Sequence, residues 1–154
     1  MWLPEQLPAL SETLGSLGLV LDPEQLADLH AHPLGAVVSL GGCSASFVSE
    51  QGLLVTNHHC VVGALQHNST TEANLVDDGF SAESLADELW AGPGSRVYVT
   101  ESLVDVTDDV LGSVPEDATD RERFESIDAA VKALVESCEA EGSVRCAVPA
   151  YHGG

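Results

Sequence analysis

The segment SLGGCSASFVSEQGLLVTNHHC, residues 39–60, holds two short apolar runs, residues 45–48 and 53–55, separated by Ser49-Glu50-Gln51-Gly52. Brief aliphatic and β-branched runs joined by a turn that ends in Gly predict a β-hairpin. Cys43 then stands at the start of the first strand and Cys60 just past the end of the second. Antiparallel pairing brings those two ends together, within the short Cα–Cα reach that a disulfide requires. The second run closes on Asn57-His58-His59-Cys60. As residues alone, this cluster has two readings. One is a structural disulfide flanked by two ordinary histidines. The other is a zinc site drawn from Cys43, His58, His59 and Cys60. Zinc ligands are usually spaced by roughly two to four residues, and His-His-Cys in direct succession is expected to splay its donors.

A chain of 154 residues is long enough for one domain with its own core, and 44% hydrophobic residues place it among globular proteins. The formal net charge is -20, with 25 Asp and Glu against 5 Lys and Arg. Such a surface repels nucleic acid and anionic lipid, which removes both from the expected partners. No apolar run approaches the length of a membrane span. Met1 leads into Trp2-Leu3-Pro4 without a basic region, so no signal peptide is read there. Four cysteines allow three pairings, and pairing implies an oxidising compartment.

Around the hairpin, the sequence predicts the following elements. Residues 2–17 read as a short amphipathic helix, since Leu3, Leu7, Leu10, Leu14 and Leu17 recur at helical spacing, with breaks at Pro8 and Gly15. Asp22-Pro23-Glu24-Gln25 has the form of a capped helix start, running to Leu29. His30 and His32 follow as exposed loop histidines. Residues 61–66 leave the hairpin through a helical turn, and residues 69–79 form a polar loop. Ser81 caps a short helix reaching Trp90, which Ala91-Gly92-Pro93-Gly94 ends. Residues 96–106 read as a strand with a bulge near Ser102. Thr119-Asp120-Arg121-Glu122 is a capping box, and behind it Phe124, Ile127, Val131, Leu134 and Cys138 keep helical spacing. Gly142 closes that helix, and Val144, Cys146 and Val148 alternate as a strand. Cys138 and Cys146 are expected on inward faces, either bonded to each other or as two buried thiols.

Several of these features together carry a family resemblance. Gly41-Gly42 beside Cys43, the hairpin, and Thr56-x-x-His59-Cys60 resemble the first barrel of a chymotrypsin-fold serine peptidase. The full wording of residues 37–60 is similar to bacterial serine dipeptidyl-peptidases of the dipeptidyl-peptidase 7 and 11 type. Met1-Trp2-Leu3-Pro4, Asp78-Gly79-Phe80 after Asn74, Asp105-Val106-Thr107-Asp108 and Gly153-Gly154 agree with it, so the likeness spans the chain.

The resemblance implies a mixed β fold with helices: a partial chymotrypsin-like β-barrel with the start of an inserted helical domain. Residues 1–118 would be the incomplete first barrel, residues 119–142 a helix bordering the inserted domain, and residues 143–154 the start of a truncated strand. It implies the N-terminal part of a longer, periplasmic or secreted enzyme that releases dipeptides from peptide N-termini, with no cofactor and no metal. Its partners would be peptides with a free N-terminus and, at full length, a second copy of the enzyme. Serine peptidase chemistry needs a base, a carboxylate that orients it, and oxyanion donors. Neighbouring residues of an extended segment point opposite ways, so one of His58 and His59 faces the cleft. The resemblance selects His59, beside the Cys, as the catalytic base. Asp105 follows at an acceptable distance, but the resemblance puts the triad Asp and Ser beyond residue 154. Ser44, Ser46 and Ser49 are expected to be ordinary strand and turn residues. His59 is therefore the single site residue. A small disulfide-stapled binding domain without catalysis is the alternative from another class.

Overall fold

The computed structural model describes residues 3–140, 142 and 144–151. They fall into two compact units that divide between Ser102 and Leu103.

The first unit is built on a four-stranded antiparallel sheet: β1 (Val37–Ser39), β2 (Ser44–Phe47), β3 (Leu54–Thr56) and β4 (Tyr98–Val99), in the order β3-β2-β1-β4. The expected hairpin is present as β2 and β3, each one residue out of phase with the apolar runs. Its register pairs Ala45 with Thr56 and Phe47 with Leu54. The turn between them needs Gly52, whose φ of 86° suits a residue without a Cβ. Ser49 Oγ accepts from the Gln51 and Leu53 amides at 3.3 and 3.1 Å, closing that turn. A second hairpin joins β1 to β2 through Leu40-Gly41-Gly42-Cys43, where the Leu40 amide donates to the Cys43 carbonyl at 2.7 Å. The sequence does not announce β1 as a separate strand. It is nevertheless central, and Val38 pairs with Ala45 on one side and Val99 on the other. Val38 (3% exposed) and Ala45 (6%) form the buried centre of this unit. Alternation puts Phe47, Leu54 and Thr56 on that same face, half-buried.

The chain then enters α2 (His58–Asn68), longer than the single turn expected at residues 61–66. Val61, Ala64 and Leu65 of α2 line an apolar hollow with Leu75, Phe80 and Leu89. The far end of α2 is tied down twice. His67 meets Trp90 edge-on at a centroid distance of 5.7 Å, and Asn68 Nδ2 donates to the Trp90 and Ala64 carbonyls, both at 2.9 Å. α3 (Leu75–Asp78) interrupts the expected polar loop, capped by Asn74, whose Oδ1 accepts from the Val76 amide at 3.2 Å.

Several expected elements are shorter than the sequence suggests. The leading helix is broken into two 3-10 turns (Pro4–Gln6 and Pro8–Leu10) and α1 (Ser11–Ser16). Each turn opens on a proline, which fits the first position of a helix and not its interior. Trp2, at the start of that expectation, lies outside the described residues. Residues 22–29 form turns rather than a helix. Asp22 Oδ1 does accept from the Glu24 amide at 3.0 Å, but Asp28 Oδ1 takes the His30 amide at 2.9 Å, a local bond that competes with helix continuation. Between Ser81 and Trp90 the only helical piece is a 3-10 turn, Leu85–Asp87, among the described residues. Of residues 96–106, only Tyr98–Val99 pairs, because the three-residue β1 is the edge it meets. His30 and His32 are exposed as expected, and His30 Nε2 lies 3.0 Å from the Glu101 carbonyl oxygen.

The second unit holds α4 (Thr107–Leu111) and α5 (Asp120–Glu139), with Val110 buried. α5 begins at the predicted capping box: the Glu122 amide donates to Thr119 Oγ1 at 3.4 Å, and the Thr119 amide donates to Glu122 Oε2 at 2.9 Å. Gly142, with φ 76°, donates its amide to the Glu139 carbonyl at 2.9 Å and ends the helix. On the apolar stripe, Ile127, Val131 and Leu134 are half-buried, whereas Phe124 is 69% exposed. Cys138 and Cys146 are bonded, with Cα atoms 6.2 Å apart. Cys138 is exposed, not inward. Residues 144–148 are not a strand: the Cys146 amide donates to Glu139 Oε1 at 3.0 Å in place of a ladder partner. Ser143, where that strand is expected to start, and Gly153-Gly154 lie outside the described residues.

Candidate active site

Cys43 precedes β2, and Cys60 lies in the first turn of α2; the two are bonded, with Cα atoms 6.1 Å apart. The staple therefore joins the strand β2 to the helix that follows β3, across the open end of the hairpin. A second clamp lies beside it. Thr56 Oγ1 donates to the Ser44 carbonyl at 2.8 Å, and Ser44 is the residue next to Cys43. Asn57 is extended (φ -77°, ψ 145°), and the Cys60 amide donates to its carbonyl at 3.0 Å, which starts the helix. Between these clamps the backbone of His59 has little freedom.

Both histidines lie in the first turn of α2, so the alternation expected of an extended segment does not apply. Successive helical residues are rotated by roughly 100°, and His58 and His59 are both exposed. What separates them is the staple. One ring nitrogen of His59 and the sulfurs of Cys43 and Cys60 all lie within 4.8 Å of one another. The expected splay of adjacent donors is thus offset by Cys43 arriving from the neighbouring strand. His58 is not in that group. With the bridge closed, the two sulfurs are not the thiolates that zinc takes as ligands.

An exposed imidazole on a stapled helix start can accept and return a proton if a nucleophile is brought to it. Two of the hairpin serine hydroxyls are engaged with the backbone: Ser49 Oγ accepts in the turn, and Ser46 Oγ donates to the Phe47 carbonyl at 3.3 Å. Ser44 is exposed at the start of β2. Asp105 acts locally, where its Oδ1 accepts from the Thr107 amide at 2.9 Å at the start of α4. Hydrogen bonds from the Thr107 hydroxyl and amide hold its carboxyl below the ordinary aspartate value. Sequence reasoning misses the bond from Thr56 to the Ser44 carbonyl. The place of Thr56 in the Thr-x-x-His-Cys wording is the available signal.

A family model described as Peptidase S46 matches residues 1–154. An Asp/Glu-specific dipeptidyl-peptidase of Shewanella putrefaciens is 44% identical over 153 residues, which cover 99% of this chain and 21% of that protein. A dipeptidyl-peptidase 7 of Porphyromonas endodontalis is 36% identical over 131 residues, 83% of this chain and 16% of the relative. A dipeptidyl-peptidase 7 of Porphyromonas gingivalis is 30% identical over 155 residues, 99% of this chain and 22% of the relative. The chain thus spans about a fifth of the length of the curated relatives it matches.

Proposed function

This chain belongs to the Peptidase S46 family, and on that premise we propose that it is the part of a serine-type dipeptidyl-peptidase that carries the catalytic imidazole. His59 is the general base. It takes the proton of a serine supplied from outside these 154 residues as that serine attacks the peptide carbonyl, then returns it to the leaving amine. The products are a dipeptide and a shortened peptide, and the substrates are peptides with a free N-terminus. The observation that supports this most is the doubly clamped start of α2, which presents the His59 ring to solvent beside the Cys43–Cys60 bond. Such prepositioning is what proton transfer at a reacting centre requires.

In this reading the β1–β4 sheet is the incomplete first half of a chymotrypsin-like barrel. Residues 1–118 belong to that catalytic domain, residues 119–142 border an inserted helical domain, and residues 143–154 start a further strand. Two bonded cysteine pairs support a periplasmic or secreted location. No helix among the described residues is long and apolar enough to cross a membrane.

The test is steady-state kinetics of the full-length peptidase. His59→Ala is expected to lower kcat by on the order of 10²–10⁴-fold with little change in KM, and His58→Ala to change it far less. The 154-residue chain alone is expected to be inactive. Equal losses from the two substitutions would remove His59 from the role.

A further inference from the structure

The unit that holds His59 carries two apolar hollows. The first, of about 270 Å³, is the one walled by α2, Leu75, Phe80 and Leu89. The second, of about 390 Å³, lies between the β2–β3 turn and the 3-10 turn at Leu85–Asp87, with Leu53, Leu54 and Leu85 as its apolar walls. One short segment serves both, since Leu85 lines the second hollow and Leu89 the first. Four residues of chain reach at most about 14 Å, so the walls of the two hollows are neighbours. Their surroundings are uncovered: Leu85 is 70% exposed and Leu53 59%. An exposed apolar patch with a charged rim marks an interaction surface.

The rim decides what fits there. Asp77, Asp78, Glu83, Asp87 and Glu88 are all exposed on this stretch, and Glu88 borders the second hollow. No Lys or Arg precedes Arg96 in the sequence. Arg96 itself donates from Nη1 to the Pro93 and Ser95 carbonyls, at 2.9 and 2.8 Å, rather than to a carboxylate. An anionic partner, a second copy of this chain included, is repelled by such a surface, and a cationic one is drawn to it.

We propose that the two hollows form one docking groove for a cationic amphipathic helix of a partner protein. Both volumes fall near the bottom of the roughly 300–1,000 Å³ range of small-molecule sites, which suits one large apolar side chain apiece. On a helix, apolar side chains at i and i+7 stand about 10.5 Å apart along one face, a separation within the reach of the segment from Leu85 to Leu89. Helix-in-groove recognition uses anchors at that spacing. Lysines on the flanks of the same helix then meet the rim carboxylates. The docking does not rest on the peptidase reading.

The test uses the full-length protein and a fluorescent helical peptide of Leu and Lys, acetylated at its N-terminus and with leucines on one face only. Binding is read by fluorescence anisotropy. The expected result is saturable one-to-one binding that weakens as salt is raised. Leu85→Ser and Leu89→Ser are each expected to weaken it by roughly tenfold. Leu85 is mostly exposed, so its replacement leaves the fold in place. The triple variant Asp78→Asn, Glu83→Gln, Glu88→Gln is expected to bind more weakly and with a flatter salt dependence. Absence of binding, the outcome if the rest of the polypeptide fills the hollows, overturns the proposal. So does equal binding of a peptide with Ser in place of every Leu, since charge alone would then account for it, and so does an affinity unmoved by both leucine variants. Self-association of the protein that Leu85→Ser abolishes would give the groove to a second copy and overturn it as well. Because the N-terminus of the probe is blocked, its binding and the turnover of peptides with a free N-terminus are read separately, and neither result decides the other.

Discussion

Thr56 shows how much one hydroxyl contributes when register places it well. It stands opposite Ala45, and from there Oγ1 reaches the Ser44 carbonyl at 2.8 Å, next to the stapled Cys43. Thr56→Val keeps the branched shape and removes the donor. It is expected to cost about 1 kcal/mol in chemical denaturation of the full-length protein and to lower kcat, with His59 left less firmly held. A variant as stable and as active as the parent would show that the staple alone positions the ring. The Thr-x-x-His-Cys wording is legible in the sequence, but the role of its first member is not, since a hairpin pattern does not fix which residues stand opposite. The same limit applies to the two histidines. Val61, Val62 and Gly63 are weak helix formers, so nothing local announces that a helix already starts at His58. From sequence, the choice between the rings therefore rests on family likeness; in the structure a His59 ring nitrogen lies within 4.8 Å of the Cys43 sulfur, which arrives from the β1–β2 connection.

At the scale of elements, legibility follows how local the determining signal is. α5 is readable end to end because its start is a reciprocal pair of bonds within four residues and its end a glycine. Thr119→Ala is expected to remove roughly 1 kcal/mol of stability, read as fraying of the first turn of α5 by amide exchange. The other half of the box has a pH signature. Bonds first from the Thr119 hydroxyl and then from its amide hold the Glu122 carboxyl below the ordinary 4.5. A carboxyl with a depressed folded value contributes stability that is fully present above its unfolded value and lost as pH falls through the folded one. The α5 signal in circular dichroism should therefore hold above pH 4.5 and decline below it, and Glu122→Gln should flatten that decline. No difference between the two proteins would deny the box this role. Strands are less legible, because pairing partners decide their length. Residues 96–106 alternate well enough, yet only Tyr98–Val99 finds an edge. Residues 144–148 alternate too, and the Cys146 amide bonds a glutamate side chain instead.

Across the whole molecule, apolar burial is thin and covalent ties are correspondingly important. Val38, Ala45 and Val110 are the buried hydrophobics among the described residues, while Trp90 is 66% exposed and Phe124 69%. The overall class, a small antiparallel sheet with helices, is readable from the alternation of short runs and capped segments. The sparse core is not, because 44% hydrophobic content says nothing about where side chains end up. With so little burial, the Cys43–Cys60 bond, at a separation of 17 residues, is expected to supply about 3 kcal/mol by restricting the unfolded chain. Replacing both cysteines by serine should lower the denaturation free energy by about that amount, and an unchanged midpoint would mean that the sheet stands unaided. The staple also encloses the exposed turn at Glu50. An endoprotease that cuts after glutamate can sever the polypeptide there without parting it. A molecule cut at that bond alone would migrate as one band on a denaturing gel until a thiol is added, and as two bands afterwards.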